Sequence, residues 1–229
     1  LGAVAILGLP LGRAMAFPLF FILFGVPFGE VFTDPLINVT ANFTVDGNGS
    51  GGACASPVPY TPTFTGSVST TAAGGHPNLT MTVNRTDKHQ QIRDLAFHLP
   101  TGMVANTSAT PQCAQATAAA GGCVAGQQVG SVSTIVGSGA TTLALGGEIY
   151  NVVPNAGEPA RLYASIPVVV GPFDLGRLNI PVATSLRADF GIDATTTVPL
   201  RYEGVPVRIR QLQMVLNGTA GGQNFMTNP

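Results

Sequence analysis

Hydrophobic and polar residues alternate along much of the chain after residue 60, and the alternation is longest between Leu178 and Phe190. One side of this stretch consists of Leu178, Ile180, Val182, Thr184, Leu186, Ala188 and Phe190. A period of two is that of a β-strand with one buried and one solvated face. We therefore predict a strand over 178–190 whose solvated face includes Asn179, Ser185, Arg187 and Asp189.

Shorter runs of the same alternation predict further strands. They lie at about 78–85, 95–99, 128–136, 141–150, 162–166, 195–200 and 207–216. The first two flank a polar turn at Asp87–Gln90, so we expect them to pair as an antiparallel hairpin. Residues 115–120 predict a turn or two of helix. About eight short strands predict a mainly β fold, an antiparallel β-sandwich with a Greek-key-like arrangement.

The last predicted strand contains a change of phase. Val207 and Ile209 share one face, but the apolar residues then continue at Leu212 and Met214. One extra residue near Arg210–Gln211 would return the later residues to the buried face. The pattern therefore predicts a β-bulge there.

Residues 1–37 differ from the rest because they are almost continuously apolar. No charged residue occurs between Arg13 and Glu30, and the whole run is long enough to cross a hydrocarbon layer of ~30 Å. Prolines within it would kink a helix, which a membrane tolerates better than water does. We predict a helical transmembrane segment over 1–37. A cleaved signal peptide and a buried helix of a soluble protein are the alternatives.

The composition changes again before the alternating part begins. Residues 46–59 are rich in Gly, Ser and Pro, which is typical of a flexible linker, and the predicted linker region extends from residue 38 to residue 59. The predicted organisation is a membrane segment at 1–37, a linker at 38–59 and a β-sandwich domain at 60–229.

Charge and composition narrow the classes of function. Only 9% of the residues are charged and the net charge is −1, with 29 Gly, 18 Pro and no Trp. A sequence without basic clusters is not expected to bind nucleic acid. Low charge combined with many Thr and Ser residues is common in extracellular β modules.

Three cysteines are too few for a disulfide scaffold and lack metal-ligand spacing. Cys113 and Cys123 close a short loop, and a disulfide between them would contribute on the order of 2–3 kcal/mol. Two unpaired, small apolar residues are the alternative. Cys54 is left as an unpaired cysteine, which either pairs with a partner outside this chain or stays exposed.

The three histidines give little sign of catalysis. His98 falls on the solvated face of a predicted strand, and Asp87 with His89 makes at most a weak metal or acid–base pair within a polar turn. His76 belongs to no motif. Nucleophile, zinc-helix and phosphate-loop motifs do not occur in the sequence. We expect no catalytic, cofactor-binding or metal-binding residue and no cofactor.

Two further groups of charged residues do not predict a site, and the first of them, Arg208 with Arg210, is better explained as a solvated face. Arg208 and Arg210 form a small basic stripe that could meet a carboxylate ligand or a glycan. Asp174, Asp189 and Asp193 are too scattered in the sequence to indicate a calcium site.

The apolar segment resembles part of a known membrane enzyme family. Residues 13–36, continuing to Thr40–Thr44, are similar to an internal membrane segment of the exosortases, which are polytopic transpeptidases. The family's catalytic Cys, Arg and His have no counterpart here. The resemblance implies a membrane segment and no activity.

A second resemblance covers residues 60–229. The motifs that carry it, in chain order, are 60–66, 83–87, 99–103 leading to 111–113, Cys123 followed by 128–130, then 146–150, 159–163, 170–176, 204–210 and 224–229. In this order they resemble repeats of large, uncharacterised secreted or surface proteins of Actinobacteria. The resemblance implies location and architecture without enzymatic activity. It also implies a cysteine beyond the final Asn-Pro, which would be the natural partner of Cys54.

These observations favour a non-enzymatic β-sandwich module in the cell envelope, secreted or anchored in the membrane through residues 1–37. Its role would be structural or adhesive, and its partners would be neighbouring repeats of the same polypeptide or other envelope components. One alternative is a fragment of, or an accessory to, a membrane-bound sorting transpeptidase. A carbohydrate-binding module is another, although the four tyrosines are spread along the sequence.

Overall fold

The computed structural model describes residues 58–229, which fall into two compact units. The larger unit comprises Pro62–Arg85, Gln91–Val136 and Leu143–Pro229. Of the smaller unit, the described parts are 58–61, 86–90 and 137–142. In that smaller unit the Gln90 amide donates to the carbonyl of Pro59 (2.9 Å), and the Gly139 amide donates to Asp87 Oδ2 (2.6 Å).

The protein is mainly β, and its principal element is an antiparallel sheet of nine strands. The order across the sheet is β1-β2-β12-β5-β6-β7-β8-β9-β3. These strands are β1 (Thr63–Val68), β2 (Leu79–Asn84), β3 (Asp94–His98), β5 (Gln128–Ser138), β6 (Thr141–Val152), β7 (Arg161–Val170), β8 (Phe173–Leu186), β9 (Ile192–Thr197) and β12 (Ile209–Leu216).

Smaller elements complete the described part of the chain. Three two-stranded pairs join β10 (Arg201–Tyr202) with β11 (Val205–Pro206), β13 (Thr219–Ala220) with β14 (Gln223–Asn224), and β15 (Met226–Thr227) with β4 (Val104–Ala105). A short helix, α1 (Gln115–Ala119), is followed by a 3-10 turn at Ala125–Gln127. The helix predicted at 115–120 is thus confirmed.

The core lies on one face of the curled nine-stranded sheet. Alternate residues of β2 and β12 enter it, as the sequence pattern predicts: Leu79, Met81 and Val83 from β2, and Leu212, Met214 and Leu216 from β12. Residues of β7, β8 and β3 belong to the same buried cluster. The ring of Phe64 in edge strand β1 lies 5.8 Å from that of Phe97 in edge strand β3. The curl therefore brings the two ends of the sheet into contact, and the two separate sheets of a sandwich are not confirmed.

The predicted bulge is confirmed. The register between β12 and β5 shifts between Ile209 and Gln211, which leaves Arg210 as the extra residue. Arg85, which is buried, stabilises this site because its Nε donates to the Ile209 carbonyl (2.7 Å). Its backbone amide donates to the Arg210 carbonyl (2.7 Å).

The predicted hairpin between the strands at 78–85 and 95–99 is wrong. Both strands form, as β2 and β3, but β2 pairs with β1 on one edge and β12 on the other. Because both edges of β2 are occupied, β3 pairs instead with β9 and forms the opposite edge of the sheet.

The long strand predicted at 178–190 is right in its centre and wrong at its ends. Strand β8 begins at Phe173, after the turn at Gly171–Pro172, and ends at Leu186. The Arg187 amide donates to the Gly191 carbonyl (2.8 Å), and Phe190 adopts a φ of 63°, so the chain turns here. Leu186 and Phe190, which the alternation predicts to be buried, are instead 59% and 77% exposed.

The predictions for the N-terminal part lie outside the described residues. They are the membrane segment at 1–37, the linker as far as residue 57, and the unpaired Cys54. Within residues 58–229, no helix is long and apolar enough to span a bilayer.

Candidate functional site

The loop closed by the cysteines is covalently constrained and belongs to the larger unit. Cys113 and Cys123 form a disulfide with a Cα–Cα distance of 5.8 Å, which confirms the predicted bond. Cys113 is only 1% exposed, so the bond is anchored at one end within the fold. The closed loop contains α1.

Backbone contacts fix this loop against the end of β6. The Cys113 amide donates to the Asn151 carbonyl (2.8 Å), and the Val153 amide donates to the Cys113 carbonyl (3.0 Å). Cys113 thereby makes a parallel bridge to Val152. A second buried cluster, of Cys113, Ala118, Tyr150 and Val152, packs beside these bonds. The loop therefore covers the face of β6 opposite the main core.

The buried side chain of Asn151 connects the same strand to the segment before the disulfide. Its Nδ2 donates to the carbonyls of Thr107 (2.8 Å) and Thr110 (3.3 Å). Its Oδ1 has no hydrogen-bond partner within residues 58–229. The side-chain amide of Asn151 fixes the path of the chain into Cys113. Nothing in the sequence around Asn151 indicates this role.

A polar network lies between the disulfide loop and strands β6–β8. Arg177 Nε donates to Ser165 Oγ (2.9 Å), and its Nη2 donates to Glu148 Oε2 (2.9 Å). Ser165 Oγ donates to Asn179 Oδ1 (2.6 Å), and Asn179 Nδ2 donates to the Ala119 carbonyl at the end of α1 (3.0 Å). The network ties the loop to the sheet.

Ser165 is the buried hydroxyl of this network, and its bonds describe its chemistry. A serine nucleophile needs an adjacent base that accepts its proton. Here the Ser165 proton is directed at an amide oxygen, and the neighbouring Arg177 is a donor. The arrangement is that of a structural hydroxyl.

A second charged cluster surrounds Arg187 at the turn between β8 and β9. Arg187 Nη1 donates to Asp193 Oδ1 (2.6 Å), and its Nε donates to Asp189 Oδ1 (3.0 Å). His98 Nδ1 lies 2.8 Å from Asp193 Oδ1. Thr101 Oγ1 donates to Asp189 (3.2 Å). The fold thus brings together Asp189 and Asp193, whose spacing in the sequence does not indicate a shared site.

The electrostatics of the Arg187 cluster follow from these bonds. Hydrogen bonds from Arg187 and from the Gly191 amide lower the pKa of Asp189 to about 2. Arg187, and then His98, lower the pKa of Asp193. Both carboxylates remain ionised at neutral pH as ion-pair partners of one guanidinium. In the described part of the chain, no group of three or more His, Cys, Asp or Glu side chains could hold a metal ion.

The other sequence candidates have different hydrogen-bond partners or exposures. His76 Nδ1 is within 3.0 Å of the Met226 carbonyl and 3.2 Å of Thr227 Oγ1. His89 Nδ1 lies 3.3 Å from Thr61 Oγ1. Arg208 is exposed, whereas Arg210 is half-buried at the bulge.

Arg177 and Arg85 were not singled out from the sequence, although each organises its surroundings. Arg177 lies within β8, directly before Leu178, where the long alternation begins. Arg85 follows β2 directly, and no pattern distinguishes it from an exposed arginine.

The chain was compared with protein-family models, curated proteins and solved structures, and none of them matches it.

Proposed function

We propose that this protein is a non-enzymatic module of the cell surface or of secreted proteins, with a structural or adhesive role in the envelope. The observation that carries the proposal is the disulfide Cys113–Cys123, since such bonds form and persist in oxidising compartments outside the cytoplasm. In this proposal the bond keeps the loop with α1 on the outer face of β6.

The charged residues support a structural role because their partners are within the fold. Arg177, Arg187 and Arg161 each pair with a carboxylate, at distances between 2.6 and 3.0 Å. Ser165 donates to an amide oxygen. These groups hold loops against the sheet.

The proposal also includes the sandwich architecture, the membrane anchor and the partners that the sequence predicts. The two ends of the curled sheet would act as the two layers of a sandwich, with Phe64 and Phe97 packed between them. Residues 1–37 would anchor the module in the membrane, residues 38–59 would act as a spacer, and neighbouring repeats of the actinobacterial surface type would be its partners.

The single lysine of the sequence, Lys88, offers a test of location. Lys88 is exposed to solvent. Intact cells that carry the native gene would be treated with a membrane-impermeant amine reagent, and the Lys88 peptide would be analysed by mass spectrometry. We expect Lys88 to be labelled to the same extent before and after lysis. Labelling that requires lysis would refute a surface location. A cytoplasmic enzyme labelled in the same samples reports on cell integrity.

A further inference from the structure

Strand β1 is mostly exposed and, in the described part of the chain, pairs only with β2. Its register with β2 runs from Thr63↔Asn84 to Val68↔Leu79. All of its residues are exposed except Val68, which is half-buried. Within residues 58–229 no strand pairs with its other edge. A free edge presents a row of backbone donors and acceptors that another strand can bind.

The two edges of the nine-stranded sheet differ in how they are protected. Edge strands that avoid association carry charged residues, prolines or bulges. Strand β3 has such residues, because it begins with Asp94, paired with Arg93, and ends with His98, paired with Asp193. Strand β1 has the sequence Thr-Phe-Thr-Gly-Ser-Val, without charge or proline. This edge lacks the residues that would prevent strand addition.

An apolar ring lies beside the free edge. Phe64 contacts Phe97 on the core side but remains 57% exposed. Phe64, Gly66 and Val68 share the face of β1 that lies opposite Val83, Met81 and Leu79 of β2. A strand added beside β1 would extend this apolar face and cover more of the ring.

The sequence of β1 matches itself when it runs antiparallel. With Thr65 on a two-fold axis, Thr63 lies opposite Ser67 of the other copy, and Phe64 lies opposite Gly66. The hydroxyl residues then share one face and the apolar residues the other, as directly opposite residues require. Each phenyl ring lies opposite Gly66 of the other copy. An aromatic ring that covers a glycine on the neighbouring strand stabilises the pairing of two edge strands. No like charges meet at the axis.

We propose that a second copy of this chain pairs with β1, β1 to β1, and forms a two-fold symmetric dimer with Thr65 on the axis. A two-fold interface uses the same patch twice, so a self-complementary strand is sufficient for it. The nine-stranded sheet would continue across the axis into the second copy. This inference does not depend on the proposed cellular location.

Cysteine cross-linking of the full chain tests the register. In an antiparallel pair, opposite Cα atoms lie about 4.5 or 5.5 Å apart, which is within the range of about 4.4–6.8 Å that a disulfide spans. Thr65→Cys, in a Cys54→Ser background and in detergent, is expected to form a covalent dimer under mild oxidation. The matched control is Ser131→Cys, which is also exposed but lies on β5, between β12 and β6. We expect it to cross-link at least tenfold more slowly.

A charged residue in place of Thr65, on the proposed two-fold axis, tests how strongly the β1–β1 contact contributes to dimerisation. Thr65→Lys brings two like charges directly opposite each other, so sedimentation velocity should show a dimer dissociation constant raised by roughly tenfold or more at low salt. Thr65→Glu should behave in the same way, and an equimolar mixture of the two should associate again. Ser131→Lys should leave the constant within about twofold of that of the unsubstituted chain. Urea midpoints measured well below the dissociation constant, where every chain is monomeric, should be unchanged if the substituted monomer remains folded.

Three results would overturn the proposal. One is a chain that stays monomeric up to millimolar concentration. A second is association with cross-linking at residue 65 no faster than at residue 131, which would place the contact elsewhere, including on the segment before residue 58. A third is association that Thr65→Lys and Ser131→Lys weaken equally.

Discussion

At the scale of single residues, two adjacent glycines in β6 illustrate how closely the strands approach. A Cβ atom on Gly147 would overlap the Ser165 carbonyl and lie 2.8 Å from Ile166 Cα, both of them backbone atoms of β7. A Cβ atom on Gly146 would have no heavy atom within 4 Å. Neither glycine has a positive φ, so the difference between them is one of space alone.

We predict that Gly147→Ala destabilises the fold and that Gly146→Ala does not. The new methyl group would have to push β7 away from β6, and overpacking of this kind costs about 1–3 kcal/mol. Gly146→Ala should stay within about 0.5 kcal/mol of the original protein. Urea unfolding followed by circular dichroism gives both values. Equal effects of the two substitutions would contradict the close approach at Gly147.

The ion pair Glu158–Arg161 predicts a dependence of stability on pH. Arg161 donates to both carboxylate oxygens of Glu158 (2.8 and 2.6 Å), and this lowers the pKa of Glu158 from 4.5 to about 2. A depressed pKa in the folded state stabilises the fold above the pKa of the unfolded chain, and the stabilisation is lost as the pH falls.

The free energy of unfolding should therefore fall between pH 4.5 and pH 2, and the slope should be smaller in Glu158→Gln. Asp189 titrates in the same window because its pKa is also about 2. Asp189→Asn serves as the comparison, and the double variant should have a smaller slope than either single one. If Glu158→Gln and the original chain gave parallel curves, the ion pair would contribute nothing to folding.

At the scale of elements, the bulge in β12 could be predicted but its stabilising partner could not. The phase change between Ile209 and Leu212 is visible in the sequence because apolar residues must stay on the core face. Arg85 comes from the end of β2, and its role depends on β2 and β12 being neighbours. Sequence periodicity contains no information on which strands pair.

Replacement of Arg85 by alanine is predicted to destabilise the fold by about 2 kcal/mol, because the buried Ile209 carbonyl would lose a charged donor. Arg208→Ala, on the exposed side of the same segment, should change the stability by less than about 0.5 kcal/mol. Thermal unfolding of the two variants provides the comparison. A smaller loss for Arg85 than for Arg208 would show that the bulge does not need this side chain.

The ends of the strands are also difficult to predict from the sequence, because they depend on contacts between side chains. The centre of β8 follows the alternation, but the turn after Leu186 depends on Arg187, whose guanidinium binds Asp189 and Asp193. Gly191 accommodates that side chain, since a Cβ there would overlap the guanidinium. Alternation alone continues through this turn to Phe190 and so predicts a buried ring that is in fact exposed.

At the scale of the whole molecule, the class of fold could be predicted and its closure could not. Short alternating runs give mainly β structure, and the cysteine spacing gives the disulfide. The curl of one nine-stranded sheet depends on contacts between distant residues, such as Phe64 with Phe97. The chain end also contributes to the core, because Phe225 and Met226 are almost fully buried. These two residues lie in a short segment without a strand-like period.

We propose that the Cys113–Cys123 disulfide stabilises a module that is located outside the cytoplasm. The most direct test is the state of Cys113 and Cys123 in the native cell. Intact cells would be treated with a membrane-permeant alkylating reagent before lysis, and the peptides that contain the two cysteines would be quantified with and without reduction. We predict that both cysteines are recovered as the disulfide and are alkylated only after reduction. Recovery of both as alkylated thiols without reduction would contradict the account.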